Sequence, residues 1–166
     1  MIQHCLASGA VLKALAQRLG RNEQDWELAG LLHDLDVEIT QADPYIHGLK
    51  GADMLASVGL NADIVDAVRM HNEMATGLPR STEFQHALAA GETITGLITA
   101  TALVYPDKKV SSVKVKSVTK RMKEKAFAAS VKRENILECE KLGLSLDEFC
   151  ELSINAMIGI SADLEL

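Results

Sequence analysis

The sequence predicts an all-α fold, and three observations carry that expectation. Hydrophobic residues make up 48 % of the chain but aromatics only 4 %, so the core must be built mainly from Leu, Ala, Val, Ile and Met, which suit helix packing. Apolar residues recur at three- and four-residue steps along most of the chain. No segment shows the alternation or the paired turn residues of strands and hairpins. At 166 residues the chain is expected to form one unit with a sizeable core.

Leu6, Val11, Leu12, Leu15, Ala16 and Leu19 predict an amphipathic helix over residues 2–19, stopped by Gly20. Asn22 caps a second helix, which runs through Trp26, Leu28, Ala29, Leu31 and Leu32 into His33 and breaks at residues 34–36. Thr40, Asp43 and Pro44 make residues 37–45 read as a loop. A helical period returns over residues 47–58, and Asn61 caps the next helix, which leads to His71. After the Gly77-Leu78-Pro79 break comes a long apolar stretch, residues 84–104, ended by Pro106. His86, Glu92 and several threonines interrupt it, so it reads as a buried central helix and not a membrane span. Ser111 or Ser112 is expected to cap a basic helix reaching Met122. Residues 134–141 form a short helix, and Ser145, in capping-box spacing with Glu148, starts a last helix to about Ala162.

Cys5, Cys139 and Cys150 form no CxxC pair and are too few for a disulfide framework; they read as small buried hydrophobes in a reducing, cytoplasmic protein. The first residues carry no basic leader, and no apolar run reaches the roughly 18 residues that span a bilayer. No membrane partner is expected. Net charge is −6, yet ten of the 17 basic residues lie between Lys108 and Arg133, so that residues 105–133 carry +8 and the remainder −14. Such asymmetry marks a place where an anion can dock, although a basic run is also often just a solvated helix face. Aromatics for base stacking are nearly absent there, so a nucleic-acid partner is not expected.

Four of the five histidines, His4, His33, His47 and His71, fall at predicted helix ends or beside breaks. His86 reads as a satisfied core or surface residue, and Trp26 as a core anchor. His33 and Asp34 are consecutive, so on one helix they point about 100° apart and cannot clamp an ion as an i, i+4 pair does. They suit a metal lying at a helix end, with other segments of a bundle completing the shell. Imidazole and carboxylate together suit Fe, Mn, Co, Ni or Zn.

The ordered set His4, Leu-Leu-His33-Asp34, His47 followed by Gly51-Ala52 and Leu55, His71-Asn72, and then a carboxylate opening an apolar helix resembles the HD-domain metal-dependent phosphohydrolase superfamily. The resemblance covers residues 4–104, and the run from Lys114 through Phe127 is similar to an HDIG-like subgroup of uncharacterised hydrolases. It implies an HD-domain helical bundle with additional C-terminal helices: a metal-binding core over residues 1–104 and a helical extension over 105–166 packed on the same domain.

The resemblance also implies a ligand set of His4, His33, Asp34, His47, His71 and Glu92 for one or two divalent ions, Mg among the candidates, with Asp34 able to bridge them. The pair His33 and Asp34 would carry the chemistry. In Gly91-Glu92-Thr93-Ile94-Thr95-Gly96-Leu97, Glu92 stands where the family has Asp, and the lead before His4 is shorter than relatives usually have. The implied activity is hydrolysis of a phosphate ester of a nucleotide or another small molecule by metal-activated water. Lys50, one turn from His47, and Lys116 and Lys120 in the basic segment are the expected holders of substrate phosphate. A second reading of the same residues is a helical binding or regulatory module that keeps the HD core without turnover.

Overall fold

The computed structural model describes residues 1–166, and helices are its only regular elements. Helix α1 (Ile2–Leu19) ends on Gly20 in the left-handed conformation, and the Asn22 side chain caps α2 (Glu23–Leu32) by accepting from the backbone N–H groups of Gln24 and Asp25. The two cross closely because Gly30 has no side chain. A Cβ there would sit 2.6 Å from the Ser8 carbonyl oxygen and 2.8 Å from Gly9 Cα, both backbone atoms of α1.

The segment 37–45 is not all loop. Asp36 and Thr40 are buried, and the chain makes one further turn, α3 (Val37–Thr40), closed by Gln41 at φ 52°. The Thr40 hydroxyl donates to the Asp36 carbonyl, so a residue expected to break helix instead fastens a short one. Helix α4 (Leu49–Ser57) starts two residues later than predicted, because Gly48 takes φ 91° and turns the chain out of the loop that carries His47. Helix α5 (Ala62–Met70) is capped by Asn61 and delivers His71 at its C-terminus. A short α6 (Glu73–Thr76) follows.

Helix α7 (Glu83–Leu103) opens with a Thr82–Gln85 capping box and runs through the centre of the molecule, buried along most of its length. Neither Ser111 nor Ser112 caps the basic helix: both lie in a 3₁₀ turn, and Ser112 Oγ donates to Asp107 instead. Helix α8 (Val115–Met122) begins at Val115. Residues 134–141 split into α9 (Arg133–Leu137) and a 3₁₀ turn. Helix α10 (Leu146–Gly159) has the Ser145–Glu148 capping box, and α11 (Ser161–Leu164) closes the chain.

One hydrophobic cluster of 30 buried residues runs from Ala7 to Leu164, so residues 105–166 share a core with residues 1–104. Leu12, Leu15, Leu88, Ile94, Leu97, Phe149 and Met157 are fully buried within it. Trp26 anchors one end, stacked on Phe84 with ring centroids 4.9 Å apart. All three cysteines are unpaired, with Cys139 and Cys150 buried. No helix is long and apolar enough to cross a membrane.

Candidate metal centre

The ends of α2 and α5 use the same device. His33 follows the last residue of α2 and His71 the last residue of α5, and each ring is buried. Each donates its Nδ1–H to the carbonyl three residues earlier, His33 to Gly30 at 2.8 Å and His71 to Val68 at 2.6 Å. A carbonyl only accepts, so the proton is on Nδ1 and Nε2 keeps its lone pair. His4, from the first turns of α1, donates Nδ1–H to Thr95 Oγ1 at 3.1 Å, and that hydroxyl spends its own proton on the Glu92 carbonyl. His47 donates Nδ1–H to Asp36 Oδ1 at 2.7 Å. Four rings are thus oriented through Nδ1, and their Nε2 atoms face one another.

His4 Nε2 and His33 Nε2 stand 3.1 Å apart, as do His47 Nε2 and His71 Nε2. Asp34 lies between the two pairs. Its Oδ1 is 3.1 Å from His47 Nε2, 3.4 Å from His33 Nε2 and 3.9 Å from His71 Nε2, and its Oδ2 is 3.7 Å from His4 Nε2. Two groups able to hold a metal result: His4, His33 and Asp34, and Asp34, His47 and His71, with Asp34 in both.

The electrostatics fit a cation. Burial lowers the pKa of His4, and it brings His33 to about 4 and His71 to about 3, so all three rings are neutral at pH 7. His4 and His33 therefore bring two lone pairs together with no proton between them, which is favourable only around an electrophile. Burial also works against the charge of Asp34, but the hydrogen bond from His47 and the surrounding imidazoles outweigh it and hold the carboxyl well below the usual range. His47 differs from the other rings: its hydrogen bond to Asp34 raises its pKa against burial, and Asp36 adds to the rise. When His47 is protonated its second proton faces Asp34, and a bound cation would take that proton's place on Nε2.

Glu92 flanks the centre, with Oε2 3.8 Å from His4 Nε2 and Oε1 accepting from the Thr93 hydroxyl. It belongs to neither three-residue group. Burial pushes its carboxyl up to about 7, against the Thr93 hydrogen bond, and the nearby Asp34 charge adds to the rise. A cation beside it would restore its ionised form.

Lys50, Lys116 and Lys120 are not brought to this centre. Lys50 lies on the outer side of α4 beside Ile39 and Asp53. Lys116 and Lys120 line a separate groove with Arg133 and Asp147, because α8 packs its apolar side on α7 and α10 and turns its charges away from the histidines. Of the ten basic residues in that segment, Lys132 alone lines the cleft over the metal groups.

Asp36 and Arg80 support the site without having been singled out in the sequence, and Asn72, named there only as the neighbour of His71, supports it too. The fully buried Asp36 holds His47 and accepts the N–H groups of Gly48 and Gly51 on Oδ2 at 2.9 and 2.8 Å. Asn72 donates to the Pro44 and His47 carbonyls. Arg80 donates to the Met70 and His71 carbonyls and ion-pairs with Glu138, which also receives His86. The position of Asp36 two residues past Asp34 was its only signal; its partners come from segments far along the chain.

The family model described as HD domain matches residues 1–112, about two-thirds of the chain. The chain belongs to this family. Curated relatives include Ribonuclease Y of Nitratidesulfovibrio vulgaris (strain DP4), 30 % identical over 96 residues that cover 58 % of this chain and 18 % of the relative. Ribonuclease Y of Oleidesulfovibrio alaskensis is 30 % identical over 73 residues, 44 % of this chain and 14 % of the relative. Ribonuclease Y of Pelobacter propionicus is 35 % identical over 71 residues, 43 % and 14 %. The chain thus spans less than a fifth of the length of these relatives. No solved structure matches. The stretch matched as HD domain contains His4, His33, Asp34, His47, His71 and Glu92 and stops short of Lys132.

Proposed function

We propose that this HD domain is a metal-dependent phosphohydrolase that cleaves a phosphate ester of a small molecule, with His4, His33 and Asp34 holding one divalent cation and Asp34, His47 and His71 a second. The observation that carries this reading is the shared Asp34 between two groups of Nε2 atoms whose rings are all oriented through Nδ1. Divalent cations bound there would draw charge from the phosphoryl oxygens and lower the pKa of water at the site.

The chain's own residues do the rest. Burial keeps His33 and His71 neutral, and the carbonyls of Gly30 and Val68 fix the proton on Nδ1 and aim Nε2 inward, so ligand lone pairs need no reorganisation. Asp34 stays ionised and supplies a carboxylate oxygen to each side. Glu92 lines the same cleft; burial lifts its carboxyl to about 7 without metal, and beside bound cations it would be ionised and placed to accept a proton from water at the site.

Metal analysis of protein purified without chelator, followed by hydrolysis assays on phosphomonoesters, nucleotides, cyclic dinucleotides and a short RNA, tests the reading. The ribonuclease relatives motivate the RNA. Bound metal and turnover should both be lost in His33→Ala and Asp34→Ala; if both survive, the assignment is wrong. A second reading, a module that keeps the centre without turnover, is favoured by one observation: Glu92, at the family's Asp position, lies outside both metal groups. Stoichiometric metal with no hydrolysis across the panel would select it.

A further inference from the structure

The cleft over the metal groups has a volume of about 310 Å³, at the small end of ligand sites, which span roughly 300–1,000 Å³. Its two walls differ. One is the cluster of imidazoles and carboxylates; the other comes from outside the stretch matched as HD domain, from Ser130, Val131, Lys132 and Asn135.

The second wall is built to hold its shape. The Arg133 guanidinium donates to the carbonyls of Arg121, Glu124, Phe127, Ala128 and Val131, lacing together the loop between α8 and α9. Arg121 lies over the Phe127 ring, 3.7 Å from its centroid. On the facing helix Gly96 stands against this loop, where a Cβ would lie 3.4 Å from the Val131 side chain.

This lacing presents Lys132 to the cleft as its only Lys or Arg. Its ammonium has no carboxylate within 4.0 Å and no hydrogen bond within the protein, whereas the buried Arg80 is spent on Glu138 and on backbone carbonyls. No Phe, Tyr or Trp lines the cleft, and its imidazoles turn their Nε2 edges toward Asp34 and one another. Asn72 spends its amide hydrogens on Pro44 and His47, leaving its Oδ1 without a protein donor.

Resting on the phosphohydrolase reading, we propose that Lys132 receives the phosphate of a small hydrophilic phosphomonoester, and that the cleft selects such esters over nucleotides and RNA. A compact ammonium on a braced loop supplies charge to a dianion, the polar lining satisfies hydroxyl groups, and a cleft of about 310 Å³ without Phe, Tyr or Trp suits a small polar ester better than a nucleobase. The basic segment thereby divides its labour: Arg121 and Arg133 hold the loop, and Lys132 meets the ligand.

The test uses the full chain loaded with metal. Steady-state kinetics are measured on glycerol phosphate, a hexose phosphate, adenosine monophosphate and an RNA dinucleotide, alongside calorimetric titration with inorganic phosphate. The small esters should have the highest kcat/KM. Lys132→Ala should raise their KM about tenfold or more while kcat changes less than about threefold, and should weaken phosphate binding by a similar factor. Lys132→Arg should recover part of the loss, and Lys125→Ala, an exposed charge on the same segment, should change neither readout. KM and phosphate affinity both within about twofold of the parent in Lys132→Ala would overturn the proposal, as would a dinucleotide or nucleotide as the best substrate. If the parent protein hydrolyses no ester, that failure belongs to the phosphohydrolase reading. The phosphate titration then decides alone: weaker binding in Lys132→Ala upholds the subsite, and unchanged binding overturns it.

Discussion

Replacing Asp36 by Asn should disable one metal group and spare the other. The Asp36 carboxylate is fully buried and receives three N–H groups: Gly48 and Gly51 on Oδ2, at 2.9 and 2.8 Å, and His47 Nδ1 on Oδ1, at 2.7 Å. Asn keeps one oxygen, and the best use of it is to accept from both glycines. Its NH₂ then faces His47 Nδ1, donor against donor. His47 can relieve this only by moving its proton from Nδ1 to Nε2, the atom aimed at Asp34 and His71. The lone pair needed for a cation in the Asp34–His47–His71 group is thereby lost.

Exchanging a charge-assisted bond for a neutral one in a buried place should cost about 1–3 kcal/mol of stability. For a chain of this length that is a melting point lower by roughly 2–4 °C per kcal/mol. Loss of the residue that orients a ligand should weaken metal binding about 10–100-fold, confined to that group. Thermal melts, a metal titration that resolves two affinities, and ¹⁵N spectra of His47 read the three consequences. Two affinities within about threefold of the parent, with the His47 proton still on Nδ1, would refute the reasoning.

Two further outcomes test the same physics elsewhere. In metal-free protein His33 titrates at about 4 when folded and near its ordinary 6.5 when unfolded, so between these values the unfolded state binds the extra proton and stability falls as pH is lowered. Denaturant melts from pH 7 to 4 should slope more steeply for the parent than for His33→Gln, and parallel slopes would sink the idea. Gly30→Ala should destabilise by about 1–3 kcal/mol, because the Cβ meets backbone atoms of Ser8 and Gly9 that cannot give way. Gly159→Ala, with open space at its helical site, should be neutral or slightly stabilising; equal melting points for the two variants would contradict the packing account.

Much of the site was legible because its residues sit at places where sequence signals are strongest. His33 and His71 each follow an apolar period that stops, and the Asn22, Asn61 and Ser145 caps fix where the periods begin. Residues 37–45 read as a loop on Thr40, Asp43 and Pro44, but Thr40 is buried and its hydroxyl bonds locally to the Asp36 carbonyl. The phosphate-binding lysines were sought by charge density, and density describes a segment, whereas access to the cleft depends on which way one side chain leaves a loop. Lys116 and Lys120 face another groove, and the residue of that segment that lines the cleft is Lys132.

Local physics written in the sequence determined the long helices, the Asn22, Asn61 and Ser145 caps, the apolar faces and the ordered set His4, His33, Asp34, His47 and His71. Those signals act over one or two turns, so a single chain displays them directly. Only the tertiary structure decided that Nε2 atoms meet at 3.1 Å, that Asp34 serves two groups, that Glu92 stands beside them, and that Lys132 closes the cleft. These depend on where helices cross, and crossings are set by close approaches such as Gly30 on α1. No spacing along the chain encodes such a distance.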